Sequence, residues 1–268
     1  MIEGQEGVTW DQWRALAATA EESGFEALFR SDHYQSLDGK PKAGSLDAWS
    51  TINALAALTT TIRLGTLVSP ATFRHPSVLA REVVTADHVS NGRVELGLGA
   101  GWHEGEHRAF GFPFETTKDR FDRLEEQLEI VSRSWEPEPF DFHGRYYTLE
   151  QADPQPKPTH KPHLIVGGRA GPRGAALAAR WADEYNTVSP TAEEARERRE
   201  RIAAACAEAG RDPITFSAMI KLEGSPDELI NQLRSLAEAG VERVMLQHLA
   251  HDDLAMVELV GREVIPHV

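Results

Sequence analysis

The feature that most constrains this chain is one unit repeated along nearly its whole length: a short apolar run, a polar tip, then an amphipathic helix. Residues 25–29 are a compact apolar strand that runs into Arg30, Ser31, Asp32 and His33. Ser45 can cap a helix over 46–59, and residues 62–68 make the next strand. The unit recurs with strands at 94–98, 163–166, 184–188, 214–222 and 243–246, and helices at 76–90, 117–135, 171–181, 191–209, 226–239 and 252–264. At the front, Thr9 reads as the N-cap of a helix with Trp10, Trp13, Leu16, Ala17 and Ala20 on one face, ended by Gly24. Before it, MIEGQEG is short for a strand, so the first strand is clipped and the native start is expected either here or upstream. Eight strands alternating with eight helices require parallel strands joined by crossovers, which favours a closed (β/α)₈ TIM barrel over an open sheet. The pattern breaks over about 102–162, where FDF and YYTL flank HGR as a β-hairpin and the Pro-rich QADPQPKPTHKP is an extended connector. This reads as an insertion after the fourth strand of a single domain, 1–268.

Composition narrows the partners. A net charge of -14 opposes nucleic acid and anionic membrane surfaces by long-range repulsion. Cys206 is the sole cysteine and lies in the Ala-rich run IAAACAEAG, so it reads as a helix-packing residue without a disulfide partner. No apolar run reaches membrane-spanning length and the N-terminus lacks signal-peptide character, which gives a cytoplasmic expectation.

In a barrel the active site lies at the C-terminal strand ends, so tips distant in sequence converge. They are Ser31 to His33, Thr66 to Pro70, Gly99 to His103, Gly167 to Arg169, and Gln247 with His248. Asp32 and His33 read as an acid/base pair with a carboxylate-oriented imidazole, or else as a buried structural hydrogen bond. VGGRAGPRG leads into a helix N-terminus, where exposed backbone N–H groups suit a phosphate and Arg169 or Arg173 can add charge-assisted bonds. The competing reading is a tight βα turn. HEGEH at His103–His107 satisfies H-E-x-x-H, with Glu125 or Glu126 as a third zinc ligand. Gly105 weakens the helix that motif requires, and the Gly-rich strand tip before it is the wrong context, so no metal is expected.

Read together, SDHY, IRLGTLVSPATFRHPSVLARE, VTADHVSNGRVELGLGAGWHEGEHRAFGFPF, RFDRLEEQLEIV, FHGRYYTL and HLIVGGRAGPRGAALAARWADEYNT resemble the luciferase-like monooxygenase superfamily, in its bacterial coenzyme F420-dependent branch. The resemblance covers nearly the whole chain. It implies a barrel that binds F420, or alternatively FMN, at the strand C-termini, partly covered by the insertion, and a homodimer. Carried over, Asp32 and His33 match the ring-contacting tip. Thr66, Leu67 and Val68 match the bulge that holds a non-prolyl cis peptide behind the ring, placed at Thr66–Leu67 within one residue. Gly167, Gly168 and Arg169 match the phosphate turn, and Gly99, Ala100 and Gly101 border the cofactor. Where some relatives carry a glutamate after the strand-four glycines, this chain has Trp102, so their proton donor does not transfer. His33 is then the first candidate for acid/base work, with His103 and Glu106 beside it, and Trp102 and His103 face a small-molecule substrate. The implied activity is hydride transfer between F420 and an organic substrate. The alternatives are an FMN-dependent monooxygenase using oxygen on an aldehyde- or alkanesulfonate-type substrate, a non-catalytic flavin-binding protein, and a zinc hydrolase built on HEGEH.

Overall fold

The computed structural model describes residues 1–39 and 43–268; Pro41, within the loop expected between the second strand and its helix, lies outside them. In chain order the elements are α1 (Trp10–Glu22), β1 (Ala27–Arg30), α2 (Ala48–Ala56), β2 (Arg63–Pro70), α3 (Pro76–Ser90) and β3 (Val94–Gly99). Then come α4 (Glu104–Phe110), α5 (Thr117–Trp135), β4 (Phe140–His143), β5 (Thr148–Ala152), β6 (His163–Gly168) and α6 (Pro172–Trp181). The last six are β7 (Glu184–Val188), α7 (Ala192–Glu208), β8 (Thr215–Lys221), α8 (Pro226–Glu238), β9 (Arg243–Gln247) and α9 (Leu254–Glu263).

Seven strands form one parallel sheet in the order β1-β2-β3-β6-β7-β8-β9, and β4-β5 is a separate antiparallel hairpin. The expected eighth strand is reduced to bridges. Ile2 pairs with both Arg30 and His248, its N–H donating to Phe29 O (2.9 Å) and its carbonyl accepting from Ser31 N (3.0 Å). Met1 O accepts from His248 N at 2.9 Å. Residues 1 and 2 therefore span the gap between β1 and β9, and the barrel is nearly closed.

Local sequence explains most boundaries. Thr9 caps α1 in a reciprocal box with Gln12, as its spacing from Gln12 permits. The cap of α2 is Asp47, whose carboxylate accepts from Ser50 N, instead of Ser45. The Ser45 hydroxyl is engaged elsewhere, accepting from Arg30 Nη2 at 2.7 Å.

The barrel has two chemically distinct ends. At the N-terminal end Arg243 bridges buried Glu95 (2.7 and 3.0 Å) and buried Glu184 (3.1 Å), with Glu26 at 3.1 Å. Arg63 also pairs with Glu95, and His163 Nε2 lies 3.0 Å from Glu184. Above this charged floor Phe29, Leu67, Ile165, Met219 and Met245 pack together inside the barrel. The helices bury the larger core against the outer strand faces, including Trp13, Trp49, Leu79 and Leu128.

The hairpin is not a loose flap. Phe140, Phe142 and Tyr147 pack on Ile130 of α5. Glu126 of α5 accepts from the N–H groups of Arg145, Tyr146 and Tyr147 at 2.7 to 3.1 Å. The Pro-rich connector is tied to α3 by buried Asp87, which accepts from Thr159 N (2.5 Å) and Thr159 Oγ1 (2.7 Å).

Candidate active site at the C-terminal strand ends

The tip of β1 turns Asp32 inward, where its carboxylate is buried and accepts from Ser69 Oγ (2.7 Å) and Arg74 Nη1 (2.5 Å). The expected Asp32–His33 pair is therefore not formed. His33 does have a carboxylate partner, but it is Glu106: His33 Nδ1 lies 2.7 Å from Glu106 Oε2, across 73 residues. Glu106 is wholly buried, and its other oxygen accepts from Tyr34 N (2.5 Å) and Gln35 N (3.1 Å). Glu106, expected beside His33 as an acid/base candidate, has its three acceptor bonds all directed into the β1 tip. Beside a carboxylate, Nδ1 donates, so the neutral ring carries its lone pair on Nε2.

Electrostatics follow from this geometry. Burial works to lower the His33 pKa, but the Glu106 hydrogen bond and charge outweigh it, with help from Glu3 and Asp32, and the net shift is upward. Burial likewise works to raise Glu106, yet the His33 contact and the two backbone N–H donors hold it below the usual carboxylate range. Glu3 is itself fixed at the mouth by Gln247 Nε2 at 2.6 Å.

Glu106 reaches this position because residues 104–110 form a short helix despite Gly105, which was expected to weaken it. His103 caps it, with Nδ1 accepting from Glu106 N at 3.3 Å. Within HEGEH the two histidines diverge. His107 is buried, with Nε2 2.6 Å from Thr72 Oγ1 and Nδ1 2.8 Å from the His103 carbonyl, between the rings of Phe73 and Phe114. Both of its ring nitrogens thus have protein partners. The proposed third ligands point elsewhere, Glu125 to Arg173 and Arg180 and Glu126 to the hairpin backbone. The HEGEH residues are not arranged to share a metal.

Trp102 stands at the mouth, 63% exposed, with its ring edge-on to His33 at 6.0 Å between centroids and 5.2 Å from the His103 ring. Trp102 and His33 thus line the same opening, with His103 half-buried behind them.

The floor of the mouth is the irregular end of β2. The register against β3 shifts between Thr66 and Ser69, and the cis peptide lies at Leu67–Val68, one residue beyond its expected place. Several glycines have their reason here. A Cβ on Gly99 would stand 2.7 Å from Val68 Cγ2 and one on Gly167 2.9 Å from Val68 Cγ1, while one on Gly97 would collide with the Thr66 carbonyl. These glycines admit the Val68 side chain, and Gly101 takes positive φ (78°) beside Thr72. The Gly99–Gly101 stretch thus accommodates protein neighbours.

The Gly167–Ala170 turn is held by Tyr185, whose hydroxyl accepts from Ala170 N at 2.7 Å. Beyond it α6 begins at Pro172 with Gly171 as N-cap and no side-chain cap, so its first-turn N–H groups receive no side-chain acceptor from the N-cap. Arg169 is exposed and makes no hydrogen bond or ion pair with any described residue. Arg173, the other candidate cation, is committed to Asp122, Glu125 and the Lys118 carbonyl.

Two features of the site have no counterpart in the local sequence: the pairing of Glu106 with His33 across 73 residues, and the contacts of Arg74, within FRHP, with Asp32 and Asp47.

Among the described residues no helix is long and apolar enough to cross a membrane. The luciferase-like monooxygenase family matches residues 2–252. An F420-dependent glucose-6-phosphate dehydrogenase of Nakamurella multipartita is 36% identical over 177 residues, covering 65% of this chain and 51% of that protein. An FMNH2-dependent dimethylsulfone monooxygenase of Pseudomonas putida is 28% identical over 186 residues, covering 68% of this chain and 50% of that protein. The chain thus spans about half the length of these curated relatives. An F420-dependent secondary alcohol dehydrogenase, solved with an F420-acetone adduct, superposes with a TM-score of 0.89 at 21% identity, covering 100% of this chain and 97% of that one. With its match from residue 2 to residue 252, and relatives that are F420- and flavin-dependent oxidoreductases, the chain belongs to the luciferase-like monooxygenase family.

Proposed function

We propose that this protein is an oxidoreductase that transfers a hydride between coenzyme F420 and a small organic substrate, with His33 as the acid/base group. The observation that carries this reading is the His33–Glu106 pair: a buried carboxylate fixes Nδ1 as the donor, so the neutral ring carries its lone pair on Nε2, and the ring stands edge-on to Trp102. F420 supplies the hydride chemistry when bound. The residues fit such a group. The uncapped start of α6 and the uncommitted Arg169 suit a phosphate, and Val68, Gly99 and Gly167 form an uncharged floor for a flat ring. Around it, Trp102 excludes water from one side of the opening, and His33 takes a proton from, or returns one to, a substrate oxygen at Nε2. Glu106 holds the ring and stabilises its charged form. We propose that it acts in the cytoplasm, with which the lone, free, buried cysteine is in keeping, and as a homodimer.

The second reading, an FMN-dependent monooxygenase, draws on the dimethylsulfone relative and uses the same floor and turn. Titration of the purified protein with F420 and with FMN, followed by fluorescence, separates the two. The expected result is saturable F420 binding; tight FMN binding without F420 binding overturns the main reading.

A further inference from the structure

We infer that Arg74 is a positioning residue for the cofactor ring, acting through Asp32 and Ser69 on the β2 bulge; the inference rests on the cofactor site proposed above. Arg74 follows β2 on the loop to α3, and its side chain is 8% exposed. Its guanidinium gathers groups from three other segments. Nη1 binds Asp32 at the β1 tip (2.5 Å), Nη2 binds Asp47 at the α2 N-cap (2.6 Å) and the Tyr34 hydroxyl (3.2 Å), and Nε lies 3.3 Å from Glu82 of α3. The fixed fork of a guanidinium suits such multiple recognition in a way an ammonium does not.

The chain of contacts continues inward. Asp32 Oδ2, held by Arg74, accepts from Ser69 Oγ at 2.7 Å. Ser69 also accepts from Trp49 Nε1 (3.1 Å) and lies 3.2 Å from Thr66 Oγ1, which donates to the Gly97 carbonyl at 3.1 Å. Thr66 and Ser69 are the two ends of the register shift, with Leu67 and Val68 between them. Both ends of the bulge are thus pinned by buried hydroxyls, and one end is connected to a cation outside the barrel mouth. Val68, carried by the bulge, makes the surface between Gly99 and Gly167 on which a flat ring would lie. Asp32 accordingly acts on the ring by fixing the floor beneath it, since its charge is consumed by Arg74 and its exposure is 1%.

The test is a titration of wild type, Arg74→Met, Arg74→Lys and Ser69→Ala with F420, read as Kd by fluorescence and as the induced circular dichroism of the bound ring, with thermal unfolding recorded alongside. Loss of an outer-shell partner at metal sites costs roughly ten- to a hundredfold. On the same scale Arg74→Met should weaken F420 binding about tenfold or more and change the induced band, and Arg74→Lys should fall between it and wild type. Ser69→Ala removes the inner link, and with it the acceptor of Trp49 Nε1, but leaves the Arg74–Asp32 pair intact, so it keeps the inference testable if Arg74→Met does not fold; it should shift Kd and the band in the same direction. Folded variants with wild-type Kd and an unaltered band, even at a lowered Tm, overturn the inference and leave a purely structural role. If wild type binds FMN instead, the same series is read with FMN, so the cofactor reading fails while this one is still decided. Wild type binding neither overturns both.

Discussion

Replacing Glu106 by Gln alters one buried atom pair and should separate the stability of the β1 tip from its chemistry. The amide oxygen can keep the bonds to Tyr34 N and Gln35 N, but the amide nitrogen then faces His33 Nδ1 and donates to it. His33 must turn its lone pair inward and carry its proton on Nε2, so it no longer accepts a proton from substrate. Exchanging bonds to a charged acceptor for neutral ones costs about 1.5–3 kcal/mol. At roughly 2–4 °C per kcal/mol for a chain of this size, Tm should fall by about 3–12 °C. A correctly placed general base is worth roughly 10²- to 10⁴-fold, so turnover should fall at least about a hundredfold while F420 affinity changes little.

The pH dependence carries a sign as well. The raised His33 pKa gives stability that is present below the unfolded histidine value and lost as pH rises through the folded one. The lowered Glu106 pKa gives stability that is present above the unfolded carboxylate value and lost as pH falls through the folded one. Wild type should therefore exceed the variant most between about pH 4.3 and 6.5, the ordinary carboxylate and imidazole values, and the gap should narrow on either side. Urea unfolding across pH measures this, and a substrate that discharges or reduces F420 reports turnover. Turnover within about twofold of wild type would refute the orienting role, as would a stability gap that does not depend on pH.

His33→Ala, assayed on the same substrate, should lower turnover far more than F420 affinity, and an unchanged rate removes His33 from the mechanism. Glu82 offers a stability test on the far side of Arg74. Burial pushes its pKa up to about 7 from 4.5, with Arg74 opposing and Asp47 and Asp32 reinforcing the rise, and its side chain is 29% exposed. A raised carboxyl pKa means that stability is lost as pH climbs from about 4.5 to 7. Glu82→Gln should thus match wild type near pH 4 and exceed it at pH 8 by about 1–3 kcal/mol, at 1.36 kcal/mol per pKa unit discounted for partial exposure. A variant less stable than wild type at pH 8 in urea titration contradicts this.

The alternation of strands and helices was legible because each apolar run and its polar tip are contiguous, and α3, α5 and β7 begin and end where periodicity places them. Boundaries moved where a distant group decided the matter. Ser45 has the chemistry of a cap, but Arg30 occupies it and Asp47 takes the role. The helix through Gly105 forms because the His103 cap and the burial of Glu106 and His107 outweigh the cost of about 1 kcal/mol for one glycine. At the site, the tip residues could be named in advance because a barrel gathers its strand ends. Their partners could not, since His33 finds Glu106 and Asp32 finds Arg74 only after the crossovers bring separate tips together. Adjacent Asp32 and His33 proved a poor guide to pairing: neighbours on a strand end point in different directions. The glycines carried a mixed signal, open backbone by composition, yet occupied in the folded chain by Val68 and Thr72.

The charged floor has a bearing on how this protein can change. Arg243 clasps carboxylates from β3 and β7 and the one preceding β1, at the end of the barrel remote from His33. The closure made by residues 1 and 2 is thereby reinforced by side chains that, among the described residues, share no hydrogen-bond or ion-pair partner with those of the mouth. Effects of substitutions at such separated places add nearly independently. A lineage could therefore remodel Trp102 and the loops around the opening for a new substrate while the barrel remains shut from below, with robustness and novelty drawn from opposite rims.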